Sequence, residues 1–170
     1  MFKLTTKRLF LRHFDVLDEE AMCQIFCDAE VMRFSDGIKT TEWVQTWLRQ
    51  CLERYQNWGF GPYAIVEQSD ENVIGYCGLS FFPNLDGQAE VAIGYRLTRS
   101  AWGKGYATEA AGAVRAYAFA SLGMKRLIAL IDPSNTTSIR VAEKIGMRFE
   151  KEIMLKGYDH PDHVYVLTAP

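Results

Sequence analysis

The apolar positions of the chain follow two spacings, and the points where one gives way to the other mark the elements. Residues 8–14, centred on Leu9, Phe10 and Leu11, are short and rich in strand formers, which predicts a first strand. From 18 to 29, Ala21, Met22, Ile25 and Ala29 recur at helical spacing, with acids in the first turn to suit the helix dipole. Thr41 reads as the N-cap of a second helix whose stripe is Trp43, Val44, Trp47, Leu48, Cys51, Leu52 and Tyr55. Segments 63–66, 73–82 and 90–97 read as strands, with turn chemistry at 69–72 and 84–87 that implies antiparallel hairpins. A third helix runs from about 105 to 122 on Ala107, Ala110, Ala111, Val114, Ala118 and Leu122. The continuous apolar run 127–131 predicts a central strand covered on both faces. A short helix over 135–145 stops at Gly146, and strands at 149–155 and 164–168 close the chain. The strand–helix–strand order from 90 to 131 makes those two strands parallel neighbours. The expected class is α/β (α+β): a mixed, mostly antiparallel sheet with a central parallel pair, flanked by helices.

Composition narrows the setting. One hundred and seventy residues with 48% apolar and 24% charged positions suit a single folded domain over 1–170, with no linker, repeat or low-complexity tract inside it. No stretch of about 18 consecutive apolar residues exists, and charge at Lys3, Lys7 and Arg8 sits where a signal peptide needs an apolar core. A cytoplasmic protein without membrane contact is the expectation. Cys23, Cys27, Cys51 and Cys77 lack paired metal spacing and read as buried packing thiols, and His160 and His163 flank Pro161-Asp162, so no metal is expected. Nucleic-acid binding is not expected either, for want of a basic strip interleaved with aromatics. Oligomeric state is left at monomer or homodimer.

The most informative segment is 95–110, where a strand passes through Gly103-Lys104-Gly105 directly into a helix. That arrangement aims backbone N–H groups and a positive dipole end at one point, which suits a phosphate or pyrophosphate. Thr108 adds a hydroxyl and Lys104 a mobile charge. The segment is not a Walker loop, because Lys104 is followed by Gly105, and it is not a dinucleotide fingerprint, because Thr108 stands where the third glycine belongs.

This segment resembles the acetyl-CoA loop of the GNAT acetyltransferase superfamily, Gln/Arg-x-x-Gly-x-Gly/Ala, with Trp102 at the first position in place of Gln or Arg. The substitution, together with 6–12, 73–79, 93–97 and 135–147, resembles the ribosomal-protein N-terminal acetyltransferase branch over nearly the whole chain. The resemblance implies that backbone groups of Tyr95, Arg96 and Leu97 pair with pantetheine. It further implies that Gly103, Lys104, Gly105, Tyr106, Ala107 and Thr108 cradle the pyrophosphate of acetyl-CoA. Asn135 then reaches the pantetheine arm or the thioester end from the far side of the cleft, a role that stands beside helix N-capping.

For catalysis, the resemblance points to Glu90 as a base acting through water, although Ala92 stands where many relatives carry a second Glu. The Tyr that many relatives place seven residues after the Asn is replaced by Ala142, and Ser138 is the hydroxyl that matches the branch. The expected function is direct acetyl transfer from acetyl-CoA to a primary amine, either a protein N-terminus or a small molecule. A CoA-binding regulatory or sensor module with little or no turnover is the alternative. Loops at 34–37, 58–63 and 158–160 resemble those that frame acceptors, and Asp36 and Asp159 suit a cationic amine. Charge is divided accordingly: residues 96–151 hold ten Lys+Arg against four acids, and the rest holds nine against seventeen, within a net charge of −2.

Overall fold

A computed structural model describes residues 2–170. Its sheet is organised by two strands whose residues are buried on both faces, and the others are added outward from them. The strands are β1 (Lys3–Thr5), β2 (Leu9–Arg12), β3 (Pro62–Glu67), β4 (Val73–Leu85), β5 (Gln88–Leu97), β6 (Arg126–Ile131), β7 (Arg148–Met154) and β8 (Pro161–Thr168). The doubly buried pair is β3 and β6. The helices are α1 (Glu19–Phe26), α2 (Thr41–Trp58), α3 (Tyr106–Ala120) and α4 (Thr136–Lys144). One eight-stranded sheet has the order β1-β2-β3-β4-β5-β6-β8-β7. Every pairing is antiparallel except β5 with β6.

Strand parity assigns the two layers. Ile93 and Leu97 of β5, with Leu127, Ala129 and Ile131 of β6, pack under α3 and α4. Ala110, Ala111, Val114 and Ala118 give α3 a narrow inner face that lets it lie close to the strands. On the opposite face, Met22, Ile25 and Phe26 of α1 and Val44, Trp47, Leu48 and Cys51 of α2 pack around Phe14 and Ala64. Ala92, Ile128, Ile153 and Val164 form a smaller cluster on that face, farther along the sheet.

The mixed sheet, its parallel pair and the four helices match the sequence expectation. Four details differ. The chain begins with an additional strand, β1, that pairs Leu4 with Leu11. The α2 N-cap is Thr40, whose hydroxyl accepts from the Trp43 N–H, and Thr41 is already helical. The closing strand starts at Pro161, because Pro161 and Asp162 pair with Met154 and Ile153 of β7 ahead of the β6 register, which begins at His163. Cys51 and Cys77 are buried, but Cys27 is exposed: α1 ends at Phe26, so Cys27 lies past the buried stripe as the C-cap.

Among the described residues, no helix is long and apolar enough to cross a membrane. None of their His, Cys, Asp and Glu side chains form a group of three or more that would hold a metal ion.

Candidate active site

The site begins where the sheet opens. β5 is registered against β4 from Glu90 to Leu97, but its partnership with β6 has a single register pair, Ala92 with Ile128. Beyond Ala92 the two strands diverge, so the β6-facing edge of 93–97 presents backbone donors and acceptors to a V-shaped opening. Tyr95 and Leu97 turn their backbone groups to that edge, whereas the backbone of Arg96, in register with Tyr76, faces β4, so the expectation of a backbone contact from Arg96 is not met.

From Leu97 the chain makes one 3-10 turn, Arg99–Ala101, and enters the glycine loop. Gly103 and Gly105 have φ of 72° and 81°, in the left-handed region that side chains disfavour. A Cβ built on Gly103 meets nothing within 4 Å, so the loop presents bare backbone to open space. Gly105 is the N-cap of α3 and has no side chain to offer, whereas Thr40 and Asn135 cap α2 and α4. The first-turn N–H groups of α3, at 106–108, are therefore left for an external acceptor. The Tyr106 side chain turns inward, its hydroxyl donating to Glu67, so it offers the loop only its backbone N–H. Trp102, the departure from the family motif, folds its indole back so that Nε1 donates to the Leu97 carbonyl at 2.9 Å.

Across the opening, Asn135 Oδ1 accepts from the Ser138 N–H at 3.1 Å, and its amide Nδ2 remains as a donor. Tyr95 was singled out in the sequence for its backbone; its phenol also donates to the Ser138 carbonyl at 3.0 Å, joining β5 to α4. Burial pushes the Tyr95 phenol well above its ordinary pKa. Ala142 is buried against the core, so no phenol stands at that turn of α4.

Glu90 is set apart from this group. It lies two residues before the Ala92 junction, on the face opposite α3, and is 5% exposed. Arg126 Nε contacts its two oxygens at 3.0 and 3.1 Å, and the Gln88 amide donates to Oε1 at 2.6 Å. Arg126 also holds Glu150, and these two carboxylates raise the guanidinium above its ordinary pKa, Glu150 most strongly. Among the described residues, the 3.1 Å contact alone engages Glu90 Oε2, which leaves that oxygen acceptor capacity for a water.

On the Glu90 face, a cavity of about 470 Å³ is lined by Arg33, Phe34, Ser35 and Asp36 on one side and by 157–160 on the other, with Asp132 between them. It brings together two of the three loops singled out in the sequence, 34–37 and 158–160. Asp132 directly follows Ile131, so parity turns it away from α3 and towards the Ile128 side. His160 Nε2 is 3.4 Å from Asp132 Oδ2, and its Nδ1 is 3.9 Å from Asp162 Oδ1. Asp162 Oδ1 is buried with no hydrogen-bond partner among the described residues, and burial raises this carboxyl above its usual range. Burial also opposes the ionised form of Asp132, but hydrogen bonds from Ser134 and the nearby histidines outweigh it and hold that carboxyl low. The Arg96 side chain spans to this cavity's wall, with Nη1 2.9 Å from Met32 Sδ and Nη2 donating to Ser35 Oγ.

Residues 8–148 match the model of the acetyltransferase (GNAT) domain. The chain is 34% identical over 165 residues to an uncharacterized N-acetyltransferase, p20, of Bacillus licheniformis, covering 94% of this chain and 88% of that one. An acetyltransferase structure from Agrobacterium tumefaciens superposes with TM-score 0.86 at 27% identity, over 99% of this chain and 95% of that one. RimL, a ribosomal alpha-N-protein acetyltransferase solved in complex with coenzyme A, shares the fold with TM-score 0.79 at 16% identity, over 98% of each chain. The opened β5/β6 pair and the glycine loop entering α3 are thus set in a chain that belongs to the GNAT acetyltransferase family, and it is an N-acetyltransferase.

Proposed function

We propose that this protein transfers the acetyl group of acetyl-CoA directly to a cationic primary amine, and the uncapped glycine N-terminus of α3 carries that reading. Acetyl-CoA supplies an activated thioester. Its pyrophosphate suits the bare loop at Gly103 and Gly105, where backbone N–H groups and the helix dipole complement negative charge without desolvating an acid. Backbone groups of Tyr95 and Leu97 pair with pantetheine as a further strand would, and Asn135 Nδ2 donates from the α4 side. Lys104 and Thr108 add charge and a hydroxyl around the same loop.

The amine approaches through the acidic cavity on the other face, where Asp36, Asp132 and Asp159 favour a cation. A carboxylate must take its proton before attack, and Glu90 does so through a water at Oε2, one pleat behind the Ala92 junction. As the nitrogen–carbon bond forms, the Tyr95 N–H on the opened edge of β5 donates to the carbonyl oxygen that gains charge. The carbon–sulfur bond then breaks, and the second amine proton goes to the departing thiolate, which the Ser138 hydroxyl hydrogen-bonds. No nucleophilic side chain is needed. The acceptor class is a protein N-terminus or a small-molecule amine.

The Arg126 clamp on Glu90 and the buried Ala142 favour a second reading, a CoA-binding regulatory module with little turnover. Thiol release from acetyl-CoA over a panel of amines, with mass spectrometry of the product, separates the two. Acetylated product and a Glu90→Gln variant about 100-fold slower, with CoA affinity intact, support transfer. Tight CoA binding without turnover on any amine supports the regulatory reading.

A further inference from the structure

The glycine loop does not fix its own conformation. Lys104 lies between two left-handed glycines, so the peptide joining 104 to 105 can rotate at little steric cost. One orientation turns the Gly105 N–H towards an incoming anion. The other turns the Lys104 carbonyl there instead, where it repels negative charge. Something outside the loop has to choose between them.

We propose that Arg8, 96 residues away in sequence, is the positioning residue that holds this peptide in its anion-accepting orientation; the assignment rests on acetyl-CoA binding at this loop. Arg8 Nη1 donates to the Lys104 carbonyl at 2.9 Å. In a planar trans peptide the carbonyl and the following N–H point in opposite directions, so anchoring the oxygen on Arg8 aims the Gly105 N–H away from it. Arg8 lies directly beneath this turn: a Cβ built on Gly105 would sit 3.5 Å from Nη2.

The remaining contacts of Arg8 hold it from behind the loop. Its Nε donates to Glu109 Oε2 at 2.8 Å, and Nη2 is 2.7 Å from the same oxygen. The guanidinium carbon lies 4.5 Å from the centroid of the Tyr106 ring. Glu109, in the first turn of α3, also accepts from the Arg8 N–H at 2.8 Å and from the Thr6 hydroxyl at 2.6 Å. One carboxylate therefore fixes the guanidinium, and the guanidinium's remaining Nη1 fixes the loop peptide. A lysine at this position would keep the charge but lacks the planar fork needed to hold Glu109 and the carbonyl together.

The test is calorimetric titration of CoA into the wild type, Arg8→Ala, Arg8→Lys and Thr6→Val, together with amide hydrogen exchange at Gly105 in the free proteins. Positioning predicts that Arg8→Ala and Arg8→Lys each weaken CoA binding by about tenfold or more and expose the Gly105 amide to altered exchange. Thr6→Val loosens the Glu109 tie but leaves the Arg8 bond to Lys104, and stays within about twofold of wild type. Arg8→Lys binding like the wild type while Arg8→Ala fails would show a simple charge effect and overturn the proposal. So would wild-type affinity in both Arg8 variants. Absence of CoA binding by the wild type itself would refute the functional reading; the Gly105 exchange comparison would still decide whether Arg8 orients the peptide. If Arg8→Ala does not fold, Arg8→Lys decides alone.

Discussion

Two helices lie side by side on one face of the sheet, and their N-termini are finished in opposite ways. α4 closes its own first turn, with Asn135 Oδ1 accepting from the Ser138 N–H. α3 starts at Gly105, which has a left-handed φ and no side chain, so its first donors stay open. Both ends carry the same positive dipole, yet only one is left bare. The difference separates a terminus built for stability from one built to receive an anion.

The largest expected effect comes from removing that difference at α3. Gly105→Asp places a negative charge at the bare terminus and a side chain at φ 81°; CoA affinity measured calorimetrically should fall by about 100-fold or more. The left-handed strain should cost about 1–2 kcal/mol of stability in the same variant, read by denaturant unfolding. A smaller change is expected at α4. Asn135→Ala removes the cap and should cost about 1 kcal/mol in unfolding, with CoA affinity reduced less than tenfold. A loss of affinity at Asn135 equal to that at Gly105 would make the two termini alike and break the comparison.

The smallest effect is a pH dependence in the latch behind α3. Burial alone would raise the Glu109 carboxyl, but hydrogen bonds from Thr6, the Arg8 N–H and the Arg8 guanidinium outweigh it and hold the group below its usual range. The folded value is depressed, so its contribution is present above the unfolded value of about 4.3 and is lost as pH falls through the folded one. Arg8 is 42% exposed, which limits the pair to about 1 kcal/mol or less. The difference in melting temperature between wild type and Glu109→Gln should therefore be present at pH 6 and shrink below about pH 4. A difference independent of pH would remove the ionised carboxylate from the latch.

Much of the α3 side was legible because its signals are local. The left-handed glycines, the strand entering a helix and the parallel neighbour all come from contiguous residues. The shifted cap at Thr40 shows the limit of local reading: two adjacent threonines look alike in sequence, and only backbone geometry distinguishes them. β1 was missed because three residues gain strand character only by pairing with β2. The opposite face was harder to read. Glu90 meets Arg126 through the parallel pairing of β5 and β6, and Asp162 comes beside Asp132 through the register of β6 with β8. The Arg96 side chain reaches Ser35 because strand parity carries it to the face opposite Tyr95. Local periodicity contains none of these non-local registers. Arg8 was legible only as part of a motif, and its role emerges from a contact with a loop far along the chain.

Whether the bare terminus of α3 receives the anion is decided by an amide NMR titration of the 15N-labelled protein with CoA. Saturable shifts should centre on Gly103, Gly105, Tyr106, Ala107 and Thr108, with the first turn of α4 at Thr136 and Thr137 shifting far less. Saturable binding that leaves 103–108 unmoved, or that perturbs the α4 terminus more strongly, would contradict that role for α3.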